Sequence, residues 1–124
     1  MKKKNIKILL VDDEQDILEI IGYNLTQEGY QISTATNGKE AVEKAKKEIP
    51  HLIIMDVMMP EMDGMEACEN IRKIPELKNV IITFLTARSE DYSQVAGFDA
   101  GADDYITKPI SYEVLMSLIR KFFN

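Results

Sequence analysis

One cysteine, Cys68, leaves this chain of 124 residues with no partner for a disulfide and no zinc-ligand spacing. Cys68 shares a predicted helix face with Met65 and Ile71, so it reads as a small buried hydrophobe. Long apolar runs are lacking too: no stretch reaches the roughly 20 residues that span a bilayer. The opening MKKKNIKILLVDDE begins like a secretory signal, but three acids, Asp12, Asp13 and Glu14, stop its apolar run. It is read as no signal sequence, and a cytoplasmic location is expected. An excess of basic charge is also missing. With 15 Lys and Arg against 21 Asp and Glu, net charge -6 and pI near 4.8, direct nucleic-acid binding by this chain is not expected. Lys2 to Lys4 read as a solvated start. No linker or low-complexity tract divides the chain, so residues 1–124 are expected to form one domain, large enough to bury a core unaided.

What is present is a repeating alternation. Apolar runs at 6–11, 31–36, 51–56, 80–86 and 104–107 read as strands, and segments at 14–28, 38–48, 64–73, 90–100 and 111–123 carry helical spacing. Five βα units of this length predict an α/β fold with a parallel sheet covered by helices on both faces. The nearly continuous apolar first and third strands suit its centre. The second, broken by Ser33, Thr34 and Thr36, suits an edge. On the first helix Ile17, Leu18, Ile20, Ile21 and Leu25 spread over about 160°, wider than a minimal core stripe, which leaves Ile20 at the rim as a candidate partner contact.

The unusual polar residues fall at the carboxyl ends of these strands: Asp12 and Asp13 after the first, Asp56 after the third, Thr86 after the fourth, Lys108 after the fifth. Open parallel sheets form their ligand crevice at that edge, where the strand order reverses. In the flavodoxin-like order 2-1-3-4-5 the reversal lies between the first and third strands, so the three aspartates converge. Asp56, alone among the apolar residues of LIIMDVMMP, is costly there without compensation. Crowded carboxylates raise one another's pKa and call for a cation. Hard oxygen ligands favour magnesium, which keeps waters and exchanges them for phosphate oxygens. Lys108 adds positive charge and Thr86 a hydroxyl donor, a set suited to phosphoryl transfer onto Asp56. The competing reading of each residue alone is plainer; Asp13, for instance, could cap the first helix.

The motifs VDDE, IIMDVMMPEMDG, LTAR and DDYITKP resemble, over essentially the whole chain, the receiver domain of two-component response regulators. The resemblance implies a flavodoxin-like (βα)5 fold of order 2-1-3-4-5. It implies Asp56 as phosphoacceptor, with Asp13, the main-chain carbonyl of Met58 and, through water, Asp12 as magnesium ligands. It also implies Thr86 and Lys108 as the phosphate-sensing pair, Tyr105 as an aromatic switch, and a cis bond between Lys108 and Pro109. The donor would be a sensor histidine kinase or phosphotransfer protein. The recipient would be an output protein or a fused effector domain, and no turnover beyond the domain's own phosphorylation and slow dephosphorylation is implied.

Other classes fit less well. Five methionines between Met55 and Met65 could suggest copper, but a strand, a loop and gap-filling account for them. A magnesium phosphatase with an aspartate nucleophile needs a second aspartate two positions on as general acid, where this chain has Met58. Met58 and Arg88 flank the path of attacking water and neither is a base. A pure interaction module would not need every one of these residues. LTAR and DDYITKP are most similar to receivers of winged-helix transcription factors, so the chain is expected to be either a stand-alone receiver or the N-terminal receiver of such a DNA-binding regulator. Those receivers dimerise through bridges from a basic fourth helix. Here the 90–100 segment has no Lys or Arg, the last helix offers Arg120 and Lys121 to Asp103 and Asp104, and Gly97 weakens the 90–100 helix. Weak or no self-association is expected.

Overall fold

A strand buried along its whole length must be covered on both sides, and β3 (Leu52–Asp56) is such a strand. In a computed structural model of the protein, which describes residues 2–87 and 100–123, it lies at the middle of a five-stranded parallel sheet. β1 (Lys7–Val11) and β4 (Ile81–Thr86) flank it, with β2 (Gln31–Ala35) and β5 (Asp104–Thr107) at the edges in the order β2-β1-β3-β4-β5. The expected order and the edge position of β2 are both found, and each strand lies within a residue of its predicted bounds. Among the described residues the α-helices are α1 (Gln15–Gln27), α2 (Gly38–Glu48), α3 (Gly64–Arg72) and α4 (Tyr112–Phe123). The predicted 90–100 helix, with Arg88 and Gly97, lies outside the described residues apart from its last residue, Ala100.

Alternation along the strands feeds two cores. Leu9, Val11, Ile53, Met55, Ile82 and Phe84 meet α2 and α3 through Ala41, Ala45, Ala67, Cys68 and Ile71. On the other face Ile8, Leu10, Leu52, Ile54 and Leu85 meet Leu18, Ile21 and Leu25 of α1 and Leu115 and Ile119 of α4. Ile20 stays 64% exposed, at the rim of the α1 stripe as expected. Among the described residues no helix is long and apolar enough to cross a membrane.

Helix starts are set by local chemistry. Asn37 accepts a hydrogen bond from the Glu40 amide at 2.8 Å, and Asp63 from the Glu66 amide at 2.9 Å, which satisfies donors orphaned at the first turns of α2 and α3. Asp13 does not cap α1. Its N-cap is Glu14, whose side chain makes no capping bond, and the Glu14 amide donates instead to Asp12 Oδ1 at 2.8 Å. The bond that tightens this turn therefore belongs to Asp12, and the Asp13 carboxylate remains exposed.

Asp103 also departs from expectation. Rather than pairing with the end of the last helix, it meets Arg72 Nη2 at 2.8 Å and accepts the Ile82 amide at 2.8 Å. Arg72 further donates to Gly101 O and Val80 O, latching the end of α3 to the approach to β5. Asp104 does pair with Lys121, at 2.9 Å. Both acids are thus engaged within the chain.

Thr83 in β4 is fully buried, and among the described residues its hydroxyl has no hydrogen-bond partner. An unpaired buried hydroxyl costs more than an isosteric methyl. Thr83→Val should therefore raise stability by about 1 kcal/mol in urea unfolding; a less stable variant would show that the hydroxyl is satisfied in solution.

Candidate active site at the head of β1 and β3

The carboxyl ends of β1 and β3 are adjacent, with Val11 paired to Met55. The residues that follow them are therefore thrown together: one carboxylate oxygen each from Asp12, Asp13 and Asp56 lies within 4.8 Å of the others. Asp12 and Asp56 are buried, while Asp13 faces solvent. The loop after β3 is held in place by its backbone, with the Val57 amide on Leu85 O at 3.0 Å and the Gly64 amide on Val57 O at 2.9 Å.

Lys108 closes the cluster. Its Nζ lies 3.0 Å from Asp12 Oδ2, 3.3 Å from Asp56 Oδ2 and 3.8 Å from Glu14 Oε1. The contact to Asp56 meets the angular demands of a hydrogen bond, whereas among the described residues Asp12 Oδ2 meets Lys108 as a close ion pair without that alignment. Burial pulls the Lys108 ammonium down, but the Asp12 and Asp56 carboxylates outweigh it and hold its pKa above the ordinary lysine value. For Asp56, burial pushes the pKa up and Asp12 adds to it. Lys108 and the Met58 amide, which donates to Asp56 Oδ1 at 3.2 Å, only partly offset this. One ammonium faces three carboxylates and the outer Glu14, so the site carries a net negative charge that a second cation would relieve.

Thr86 ends β4, buried beside the site, and its carbonyl accepts the Lys108 amide at 2.7 Å, so the two residues are joined through the backbone. The bond between Lys108 and Pro109 is cis, as the resemblance implies. Tyr105 of β5 is partly buried against the core beneath α2 and α3. The Met58 side chain points to solvent. Met59 lies in the loop after β3, and its side chain enters that same core.

Two participants escaped the sequence reading. Glu14 is a further carboxylate for Lys108; it stands in VDDE but carries no spacing signal of its own. Gly64 packs so closely that a Cβ there would lie 2.3 Å from the Asp56 carbonyl oxygen. It closes the motif IIMDVMMPEMDG, just after the Asp63 cap, but nothing in that string shows how near it comes to the Asp56 peptide.

Comparison with known proteins places this geometry. Residues 8–120 match the family model of the response regulator receiver domain. The alkaline phosphatase synthesis transcriptional regulatory protein PhoP of Bacillus subtilis is 46% identical over 107 residues, 86% of this chain; the chain spans 44% of that relative's length. The chemotaxis protein CheY4 of Vibrio cholerae superposes with a TM-score of 0.91 at 32% identity, over 95% of this chain and 98% of that one. The receiver domain of sensor histidine kinase PA1611 from Pseudomonas aeruginosa PAO1, solved with magnesium coordinated in its active-site cleft, superposes at 0.88 with 29% identity, over 94% and 96%. With the family model spanning nearly the whole sheet and the acidic site at its head, the chain belongs to the receiver domains of two-component response regulators.

Proposed function

We propose that residues 1–124 form one receiver domain in which Asp56 accepts a phosphoryl group from the phosphohistidine of a sensor histidine kinase or phosphotransfer protein. The observation that carries this reading is the Asp56 carboxylate, buried at the head of a central strand, bonded to Lys108 and crowded by Asp12 and Asp13. In the transfer an Asp56 oxygen forms a bond to phosphorus while the bond from phosphorus to imidazole nitrogen breaks. The electron pair leaves with the imidazole, which takes up a proton. Lys108 holds the incoming phosphoryl oxygens, and the Thr86 hydroxyl donates a hydrogen bond to one of them. Thr86 and Tyr105 then move as a pair and carry the change to the β5 side.

The donor set suits magnesium: three carboxylates, one with a buried oxygen that among the described residues receives no aligned hydrogen bond. Asp13, Asp56 and the main-chain carbonyl of Met58 would hold the ion directly and Asp12 through water. When bound, magnesium neutralises the phosphoryl oxygens during transfer. Asp13 is exposed and caps no helix, so Asp13→Ala should keep the fold. It should lose at least the roughly 10–100-fold in magnesium affinity typical of outer-shell changes. A magnesium titration followed by NMR checks this, and undiminished affinity would remove Asp13 from the ligand set.

An apolar groove lined by Ile17, Ile20, Ile21, Pro109 and Ile110 beside Lys108 supports docking of the phosphodonor there. The relation to PhoP supports a fused transcriptional effector as the output, with a separate output protein as the alternative. The domain acts in the cytoplasm, self-associates weakly, binds neither DNA nor membrane itself, and catalyses only its own phosphorylation and slow dephosphorylation. Intact mass after exposure to a small acyl phosphate with magnesium tests the proposal. One lasting adduct is expected; continuous turnover would mean a phosphatase, and no reaction an inert interaction module.

A further inference from the structure

The methionines of the loop after β3 differ sharply in exposure. Met58 is 76% exposed, while Met59 beside it is 8% exposed, Met55 is fully buried and Met116 is 3% exposed. Val57 and Met59 turn into the core beneath α2 and α3, and Met58 between them turns out. Its main chain is tied to the acceptor by the amide that donates to Asp56 Oδ1 at 3.2 Å. A thioether is a weak hydrogen-bond acceptor and oxidises readily when solvent reaches the sulfur. We propose that Met58 is an oxidation site whose sulfoxide shortens the life of the phosphoryl group on Asp56, an inference that rests on the reading of Asp56 as acceptor.

The oxidant is a hydroperoxide. The sulfur lone pair attacks the outer peroxide oxygen, a bond from sulfur to oxygen forms, and the peroxide O–O bond breaks. Sulfur gives up two electrons, and the departing hydroxide or alkoxide takes a proton to leave as water or an alcohol. Dithiol-dependent sulfoxide reductases reverse the change. The sulfoxide oxygen is a strong acceptor where the thioether is nearly inert, so it holds water two residues from Asp56. One added hydrogen bond of this kind should shorten the phosphorylated lifetime by roughly two- to tenfold.

The test treats the full chain with dilute hydrogen peroxide and follows each methionine by peptide mass spectrometry. Met58 should become sulfoxide well before Met55, Met59 and Met116. The protein is then phosphorylated with a small acyl phosphate and magnesium, and loss of the adduct is timed. Oxidised protein should lose it faster than untreated protein, and a sulfoxide reductase should restore the original lifetime. Met58→Leu should give the same lifetime with and without peroxide. Oxidation of Met55 or Met59 as fast as Met58 would overturn the proposal. So would an unchanged lifetime with Met58 fully oxidised, or a peroxide effect that persists in Met58→Leu. If untreated protein takes no adduct at all, the acceptor reading fails and this inference falls with it, whatever the oxidation pattern.

Discussion

Asp56→Asn should abolish the phosphoryl adduct and raise the melting temperature of the metal-free protein at pH 7. The first effect follows from loss of the nucleophilic oxygen. The second follows from charge: burial, then Asp12, raises the Asp56 pKa, and Lys108 and the Met58 amide do not compensate fully. A folded-state pKa above the unfolded value means that folding favours the protonated acid. The stability this provides is fully present below the ordinary value of 3.8 and is lost as pH rises through the folded value. As pH rises through the folded value the carboxylate ionises and opposes folding, and asparagine removes that penalty while keeping the shape. Melting curves of both proteins in a chelator should nearly coincide at acid pH and separate as pH rises, the variant melting higher. Parallel curves at all pH values would show that Lys108 already balances the charge.

Gly64→Ala should damage both stability and chemistry. A Cβ at Gly64 would meet the Asp56 carbonyl oxygen at 2.3 Å and Val57 Cα at 3.0 Å, contacts that only backbone movement can relieve. That backbone has little room, because Asp56 ends a fully buried strand and the Gly64 amide is bonded to Val57 O. Overpacking of this kind costs about 1–3 kcal/mol. The strain falls on the peptide that aims the acceptor, and a misplacement near 1 Å can slow a reaction about 10²-fold. Gly38→Ala is the control. Its Cβ would meet the Met62 carbonyl oxygen at 2.4 Å, away from the acceptor's own peptide. Urea unfolding should show similar losses for the two variants, whereas the rate of adduct formation should fall much further for Gly64→Ala. Equal rates would mean that the contact serves packing alone.

The parts of this molecule that can be read without coordinates are those written in local pattern. The apolar run 51–56 marks a strand covered on both faces, and β3 is buried throughout. Asp12, Asp13 and Asp56 could be brought together on paper because a parallel sheet of this order has one reversal point, and the aspartates stand at the strand ends that flank it. Three features could not be read. The Arg72 side chain reaches Val80, Gly101 and Asp103, a choice among carbonyls and acids that depends on how α3 lies across the sheet edge. Asp13 had two uses in sequence, cap or ligand, and what frees it is the bond from the Glu14 amide to Asp12. Thr83 looks like any β-branched strand residue, and its unpaired hydroxyl follows from the apolar face it lands on.

Reduction with borohydride tests the central claim most directly, because it converts an aspartyl phosphate to homoserine and leaves a free carboxylate untouched. Protein exposed to a small acyl phosphate with magnesium, reduced, digested and sequenced by mass spectrometry should carry homoserine at position 56 and aspartate at 12 and 13. Without magnesium, position 56 should remain aspartate. Homoserine at another position, or labelling of position 56 that is indifferent to magnesium, would contradict the account.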